Sequence, residues 1–194
     1  MSTFTRLAPS KLPATLFALL ILCVPMSASA ALKAYMTATG EIQGEITNGS
    51  TLAGREGQMA LVEYGHSISQ AFDNASGLPS GKRQHRAIRV TKEIDKASPK
   101  LMNALTNNET LTNVTIRFWH PSQTGQEEQF FTVELLNAHI VNITHSNKTY
   151  DLDDWGNGLA APANETLTIT YQKIIWTWED GSISAEDDWS VPTP

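Results

Sequence analysis

Residues 81–99 read GKRQHRAIRVTKEIDKASP and carry three kinds of local signal in succession. The first six residues are basic or polar and follow a turn-rich segment, which is typical of an exposed loop. Apolar residues then recur at Ile88 and Val90, as they do in a strand with one buried face. Ser98 is a good helix N-cap and Pro99 suits a first helical turn, although a cap at Asp95 with an earlier start also fits. No catalytic or metal-binding motif has this form.

Most of the remaining chain alternates between apolar and polar residues, as half-buried strands do. The predicted strands cover residues 33–38, 40–46, 59–68, 114–119, 129–136, 138–144, 166–178 and 182–184. Turn-forming residues predict exposed loops over 73–84 and 147–164, a hairpin turn over 121–125, and the end of the single helix at 107–108. Because long two-faced strands leave open edges that must be covered, we predict a mainly β fold. It is a compact antiparallel β-barrel or two-sheet sandwich with one short α-helix.

The first 30 residues have the organisation of a secretory signal peptide. Arg6 and Lys11 precede an apolar run over 12–24, and Ala28-Ser29-Ala30 is a small-x-small cleavage site. The apolar run has about 13 residues, whereas a membrane span needs about 20. We therefore expect cleavage near Ala30 and a single domain over 31–194, without stable membrane association afterwards.

The composition of residues 31–194 excludes several classes of function. The only cysteine, Cys23, lies in the signal peptide, so the mature chain has no disulfide, thiol nucleophile or thiolate ligand. Of the 14 basic and 20 acidic residues of the chain, 12 and 20 remain, which gives a net charge of −8. A chain this acidic is a poor nucleic-acid binder, since phosphate affinity depends on lysine and arginine.

Several segments, spaced in the right order along the chain, resemble the Hcp family, the tube protein of the bacterial type VI secretion system. They are AYM leading to IQG at 34–44, the 81–99 stretch, WHPSQTGQEE at 119–128, ELLNAHI at 134–140, and YQKIIWTWEDG followed by AEDDW at 171–181 and 185–189. The resemblance implies a compact β-barrel flanked by a helix. It also implies assembly into hexameric rings, which stack into a tube inside a contractile sheath and hold small effector proteins.

The resemblance implies a structural role, with no enzymatic activity and no cofactor. The expected partners are further copies of the chain and the spike, sheath or effector proteins of the secretion system. The signal peptide departs from the family pattern, because tube proteins of this system normally lack one. It implies that the protein passes through the periplasm to the outside of the cell. The basic residues and a C-terminal acidic segment are the predicted subunit-interface residues: Lys82, Arg83, His85, Arg86, Arg89, Glu186, Asp187, Asp188 and Trp189.

Other readings of the residues remain open at this level. Asp151, Asp153, Asp154 and Asn157 present oxygen ligands, but no glutamate follows at the EF-hand distance, so we expect a solvated loop. The five histidines show no metal-site spacing and no nucleophile-elbow pattern accompanies them, so we predict neither a metal site nor a catalytic site, although a hydrolase built on this barrel is conceivable. The tryptophans, notably Trp155 and Trp176, raise the alternative of a secreted or periplasmic β-sandwich module that binds glycan or protein.

Overall fold

The computed structural model describes residues 33–122, 125–147 and 162–190, and the predicted signal peptide and most of the 147–164 loop lie outside these ranges. In chain order the strands are β1 (Lys33–Gly40), β2 (Gly44–Ile46), β3 (Met59–Gly65), β4 (Ile68–Phe72), β5 (Pro79–His85), β6 (Ile88–Glu93), β7 (Leu111–Pro121), β8 (Glu127–Ser146), β9 (Asn164–Thr170), β10 (Lys173–Trp178) and β11 (Ile183–Asp188). Helix α1 (Ser98–Thr106) lies between β6 and β7.

Six of the strands close into an antiparallel barrel in the order β1-β3-β6-β9-β8-β7, with β7 returning to β1. The 20-residue strand β8 makes closure possible because it changes partners along its length. Its first half pairs with β7 and β10, and its second half pairs with β9. Closure leaves these six strands with no open edge, as the sequence led us to expect. The predicted β-barrel with one short helix is confirmed.

The inward-facing residues of the strands form one hydrophobic core. The alternation is clearest on β9, where Leu167 and Ile169 are buried and the alternating Thr166, Thr168 and Thr170 face outward. Helix α1 packs on β8 and adds Leu101 and Ala104 to the same core. Since the helix has only nine residues, this packing rather than helix propensity accounts for its stability.

The start of α1 differs from the prediction. Ala97 occupies the N-cap position and Ser98 is the first residue of the helix. The Ser98 hydroxyl accepts a hydrogen bond from the amide of Asp95 and donates one to a Glu165 oxygen at 2.8 Å, so Ser98 serves the buried contact with β9 instead of capping. Pro99 lies in the first turn and the helix ends before Asn107, as predicted.

Several strand assignments also differ from the prediction, and the two strands predicted over 129–136 and 138–144 are one continuous strand, β8. Residues 79–85, predicted as loop, form β5 and pair with β4, which leaves only the turn formers of 73–78 as a loop. The strand predicted over 59–68 ends at Gly65. The strand predicted over 166–178 breaks at residues 171–172, because β9 and β10 pair with different halves of β8. Asn137, with a φ of 49°, marks the matching point on β8 and bonds to Gln172 at 3.0 Å.

The turn from β1 to β2 is built around the Glu109 carboxylate. One of its oxygens accepts hydrogen bonds from the amides of Ile42 and Gln43, each at 2.8 Å. A Cβ added at Gly40 would overlap this carboxylate, which explains the glycine at that position. Within the described ranges no helix is long and apolar enough to cross a membrane.

Candidate functional site

Strands β4 and β5 form a two-stranded hairpin that is separate from the main sheet, and we call residues 68–85 the arm. Every residue of β4 is exposed, and Phe72 and Leu78 near the tip are 62% and 65% exposed. The tip is ordered by Asp73, whose carboxylate accepts hydrogen bonds from the amides of Ala75 and Ser76. These hydrogen bonds hold the pKa of Asp73 below its usual value. The arm therefore has a defined turn, and its apolar tip is uncovered in a single subunit.

The base of the arm is attached to β11 by a charged contact between residues that the sequence singled out. Arg83 forms an ion pair through Nε with the Asp187 carboxylate, and its Nη2 donates a hydrogen bond to the Asp188 carbonyl at 2.9 Å. His85 Nε2 lies 2.6 Å from the same Asp187 oxygen, and its side chain is only 2% exposed. The basic stretch and the acidic segment thus meet within one chain. Their predicted role between subunits stays a prediction.

The other predicted interface residues lie around this contact. Lys82, Arg86 and Arg89 are exposed, and none of their side chains has an ion-pair partner within the described part of the chain. Among the remaining three, Glu186 forms an ion pair with Lys173 at 2.8 Å. Asp188 accepts a hydrogen bond from the amide of Ser190. Trp189 is 57% exposed, and the centre of its ring lies 5.5 Å from that of His85.

Two residues that the sequence analysis did not select complete the cluster. Tyr171 lies in the break between β9 and β10, and its hydroxyl lies 2.9 Å from His85 Nδ1 and 2.7 Å from His66 Nε2. His66 lies in the short link between β3 and β4, with its ring 6.1 Å from that of Trp176. No spacing in the sequence brings these positions together, because their proximity depends on how β8 changes partners. A strand break at Tyr171 would have been the one signal in the sequence that pointed to this residue. Residues 166–178 alternate without interruption, however, and this concealed the break.

Burial and hydrogen bonding shift the pKa values of this cluster in definite directions. Burial and the neighbouring His85 lower the pKa of His66. Burial raises the pKa of the Tyr171 hydroxyl, which therefore stays protonated. For Asp187, burial alone raises the pKa, but hydrogen bonds from Arg83 and His85 outweigh it and lower the pKa below its usual value. At neutral pH the cluster therefore holds the Asp187 carboxylate, the Arg83 cation, a neutral His66 and a neutral Tyr171.

Strand β11 lies at the end of the main sheet and pairs only with β10 among the described strands. The apolar side chains of Ile183 and Trp178, which face each other in the register of this pair, are 68% and 46% exposed. An edge strand with unpaired backbone groups and exposed apolar side chains is a template for pairing with another chain.

The remaining candidate sites have different outcomes. The described residues contain no group of three or more side chains able to hold a metal ion. The aspartates of the predicted solvated loop, together with Trp155, lie outside the described residues. Trp176 is half-buried and packs against the core and His66, so its ring is not an open platform for a sugar.

A family model described as "Type VI secretion system effector, Hcp" matches residues 35–178, which include strands from β1 to β10. This chain belongs to the Hcp family. The sequence segments that suggested the resemblance lie in β1 and the start of β2, in the end of β5 with β6 and the start of α1, at the end of β7 and the start of β8, in the middle of β8, and in β10 and β11. Membership explains why these separated segments occur together and in this order.

Individual Hcp relatives match nearly their whole length. The chain is 37% identical over 168 residues to the "Major exported protein" of Pseudomonas aeruginosa, covering 82% of this chain and 96% of that relative. A solved structure described as "Secreted protein Hcp3 from Pseudomonas aeruginosa" is 32% identical with a TM-score of 0.64, covering 82% of this chain and 99% of the other. A further "Crystal structure of Hcp protein" is 28% identical with a TM-score of 0.70, covering 81% and 99%. The β-barrel of this chain is thus the Hcp fold.

Proposed function

We propose that this Hcp family member is the structural subunit of a hexameric ring that stacks into the tube of a type VI secretion system. It is exported, and its ring holds or chaperones effector proteins in the lumen. Its partners are further copies of itself and the spike, sheath and effector proteins, and it has no enzymatic activity of its own. Membership of the Hcp family supports this function.

The observation that carries the assembly proposal is the arm, whose apolar tip is uncovered in a single subunit. Exposed apolar side chains close together usually mark a surface that another protein covers. Phe72 and Leu78 meet this description at the tip, and the edge of β11 offers backbone groups for a second contact. A neighbouring copy that covers both surfaces would bury these apolar side chains and pair the free backbone groups of β11.

The exposed cations beside the arm support the same proposal. Lys82, Arg86 and Arg89 lie on a chain whose mature part has a net charge of −8. An acidic protein with one local basic surface presents complementary charge to another copy of itself, which favours association in a fixed orientation. We therefore place these three residues, together with Glu186 and Trp189, at or beside the contact between subunits.

The test is the native mass of the purified protein by light scattering on a size-exclusion column, with negative-stain images of the peak. A hexamer with a central hole is the expected result. A monomer across a wide range of concentrations would overturn the ring, and glycan and protein binding screens for the alternative module would follow.

A matched pair of variants tests the role of the arm. The double substitution Phe72→Ser and Leu78→Ser removes the apolar tip, and we expect it to abolish stacking or reduce the assembly to smaller species. Leu52→Ser changes an apolar residue that is 49% exposed in the loop before β3 and serves as the control. Unchanged assembly of the double variant would show that the tip takes no part in it.

A further inference from the structure

The arm is joined to the barrel by two short links, and a proton-binding residue lies in or next to each. His66 lies between β3 and β4, and His85 is the last residue of β5. The amide of Arg86 bonds to the Ser67 carbonyl at 3.0 Å, so the two links are also held to each other. Both histidines contact the Tyr171 hydroxyl, which belongs to the barrel side of the junction. The protonation of these two residues is therefore placed where it can affect the attachment of the arm.

Counting donors and acceptors fixes the hydrogen-bond pattern of the neutral cluster. A carboxylate only accepts hydrogen bonds, so the contact between Asp187 and His85 Nε2 requires the proton to be on Nε2. His85 Nδ1 is then an acceptor, and it accepts from the single Tyr171 hydroxyl proton. The Tyr171 oxygen must in turn accept from His66 Nε2. One chain of hydrogen bonds therefore runs from His66 through Tyr171 and His85 to Asp187.

This chain accommodates one additional proton on either histidine. A proton added to His66 leaves the pattern unchanged, because His66 Nε2 already donates to Tyr171. A proton added to His85 Nδ1 reverses the direction of the two hydrogen bonds that Tyr171 makes with His85 and His66. His85 then donates to the Tyr171 oxygen and the Tyr171 hydroxyl donates to His66 Nε2. In both cases every contact in the cluster keeps one donor and one acceptor.

A second proton leaves one donor of the cluster without an acceptor. With both histidines charged, His66 Nε2 and His85 Nδ1 both donate toward the Tyr171 oxygen, and the Tyr171 hydroxyl loses its acceptor. Tyr171 is only 6% exposed, so its unpaired hydroxyl is costly. The two imidazolium rings then lie 6.3 Å apart beside the Arg83 cation, and among the described residues Asp187 supplies the one carboxylate in contact with them.

We propose that the cluster of His66, Tyr171, His85, Arg83 and Asp187 is a two-proton latch, which holds the arm on the barrel at neutral pH and releases it when both histidines are charged. The histidine pair contacts Tyr171 between β9 and β10 and Asp187 on β11, and Arg83 on β5 pairs with the same Asp187. Tyr64 on β3, whose pKa burial raises to about 12, acts electrostatically on Tyr171. Histidine is the side chain whose ordinary change of charge falls between about pH 5 and 8, so the test compares a pH near each end of that range. Acid release of the arm is a property of the single chain, and its effect on assembly rests on the proposed ring.

The test is hydrogen–deuterium exchange of the arm amides in the purified protein at about pH 7.5 and 4.5, corrected for the intrinsic pH dependence of exchange. We expect the corrected exchange rate of residues 68–85 to rise at least about tenfold at the lower pH. This is the change in an equilibrium constant that a shift of one pKa unit produces. Peptides from β7 in the barrel are the internal control and should not change. Equal protection of the arm at both pH values would overturn the latch.

Two variants make the test specific to the latch. His66→Gln provides an amide that donates or accepts at Tyr171 but binds no proton, so its arm should stay protected at the lower pH. Asp187→Asn removes the carboxylate that Arg83 and His85 share, so its arm should exchange faster already at neutral pH. A rise in His66→Gln equal to that of the wild type would contradict the latch.

Light scattering on the same samples separates the latch from the ring. A monomer whose arm loosens in acid contradicts the ring and supports the latch. A hexamer whose arm stays protected at the lower pH supports the ring and contradicts the latch.

Discussion

The ammonium group of Lys92 lies 2.9 Å from the carboxylate of Glu165, and neither side chain is accessible to solvent. The two residues face each other in the register of β6 and β9. Lys92 also donates to the Glu93 carbonyl at 2.6 Å and contacts an Asp95 oxygen at 2.9 Å, so each of its three protons has an acceptor. A buried charge is tolerated when it is paired and fully hydrogen-bonded, and this cluster meets both conditions beside the start of α1.

Breaking this pair should destabilise the fold strongly. Glu165→Ala leaves the Lys92 charge buried without its main partner, and we expect a loss of about 3–5 kcal/mol in the free energy of unfolding. The double substitution Lys92→Met and Glu165→Leu removes both charges and should be closer to the wild type. Guanidinium unfolding at one fixed protein concentration, followed by tryptophan fluorescence, measures both. If Glu165→Ala were the more stable of the two variants, the assigned role of the pair would be wrong.

Arg55 is held between two aromatic rings at the first strand of the barrel. Its guanidinium carbon lies 4.9 Å from the Tyr35 ring centre and 4.3 Å from that of Trp119, and it pairs with Glu127. Arg55→Lys keeps the charge but loses the planar stacking, so we expect a loss of about 1–2 kcal/mol in the free energy of unfolding. Lys33→Ala removes an exposed partner of the same Glu127 and should change stability little. A loss in Arg55→Lys no larger than the loss in Lys33→Ala would contradict the role assigned to stacking.

Glu109 should make the fold sensitive to acid. Burial alone raises the pKa of Glu109, but hydrogen bonds from Gln43 and Ile42 outweigh it and hold the pKa below its usual value. A carboxyl whose pKa is lower in the folded state stabilises above its unfolded pKa, and this stability is lost as the pH falls through the folded pKa. Glu109→Gln should therefore flatten the decline in stability below about pH 4.5.

The measurement for Glu109 is the free energy of unfolding at several pH values between about 7 and 3. Glu41→Gln is the matched control, since it removes an exposed carboxylate from the same turn that makes no hydrogen bond within the described part of the chain. A decline of Glu109→Gln parallel to that of the wild type would contradict the assignment.

The predicted signal peptide has a direct chemical readout. The protein recovered from the culture medium should begin at Ala31, and its intact mass should lack residues 1–30. Ala30→Phe places a large side chain where cleavage needs a small one, so an uncleaved precursor should accumulate in the cells. Exported protein that retains residues 1–30 would show that the segment is not removed by a signal peptidase.

Local pattern was sufficient to predict a mainly β fold with one short helix, and it left a barrel and a two-sheet sandwich as alternatives. The alternation in β1, β7 and β9 identified core faces that the structure confirms. Strand β4 and most of β5 were harder, because strands with few buried residues have little reason to alternate, and residues 79–85 therefore resembled a loop. The break at Tyr171 was hidden for the opposite reason, since β9 and β10 alternate with the same period and differ only in their partners.

The candidate site was predictable only in part. The sequence identified Arg83, His85 and Asp187 by charge, and the resemblance to Hcp supplied the idea of a contact between subunits. It did not indicate that these three residues meet within one chain, since 102 residues separate His85 from Asp187. His66 carried no local signal and the break at Tyr171 was hidden by regular alternation, because the contact between the two residues is produced by the three-dimensional closure of the barrel.

The attachment of the arm to Asp187 has a consequence for the thermodynamics of association. A free hairpin of this length would lose much of its conformational freedom on docking to a partner, and that loss would weaken the interaction. Here Arg83 and His85 hold the arm in one orientation while the subunit is still alone. The arm therefore loses its conformational entropy during folding, and it reaches its partner already preorganised.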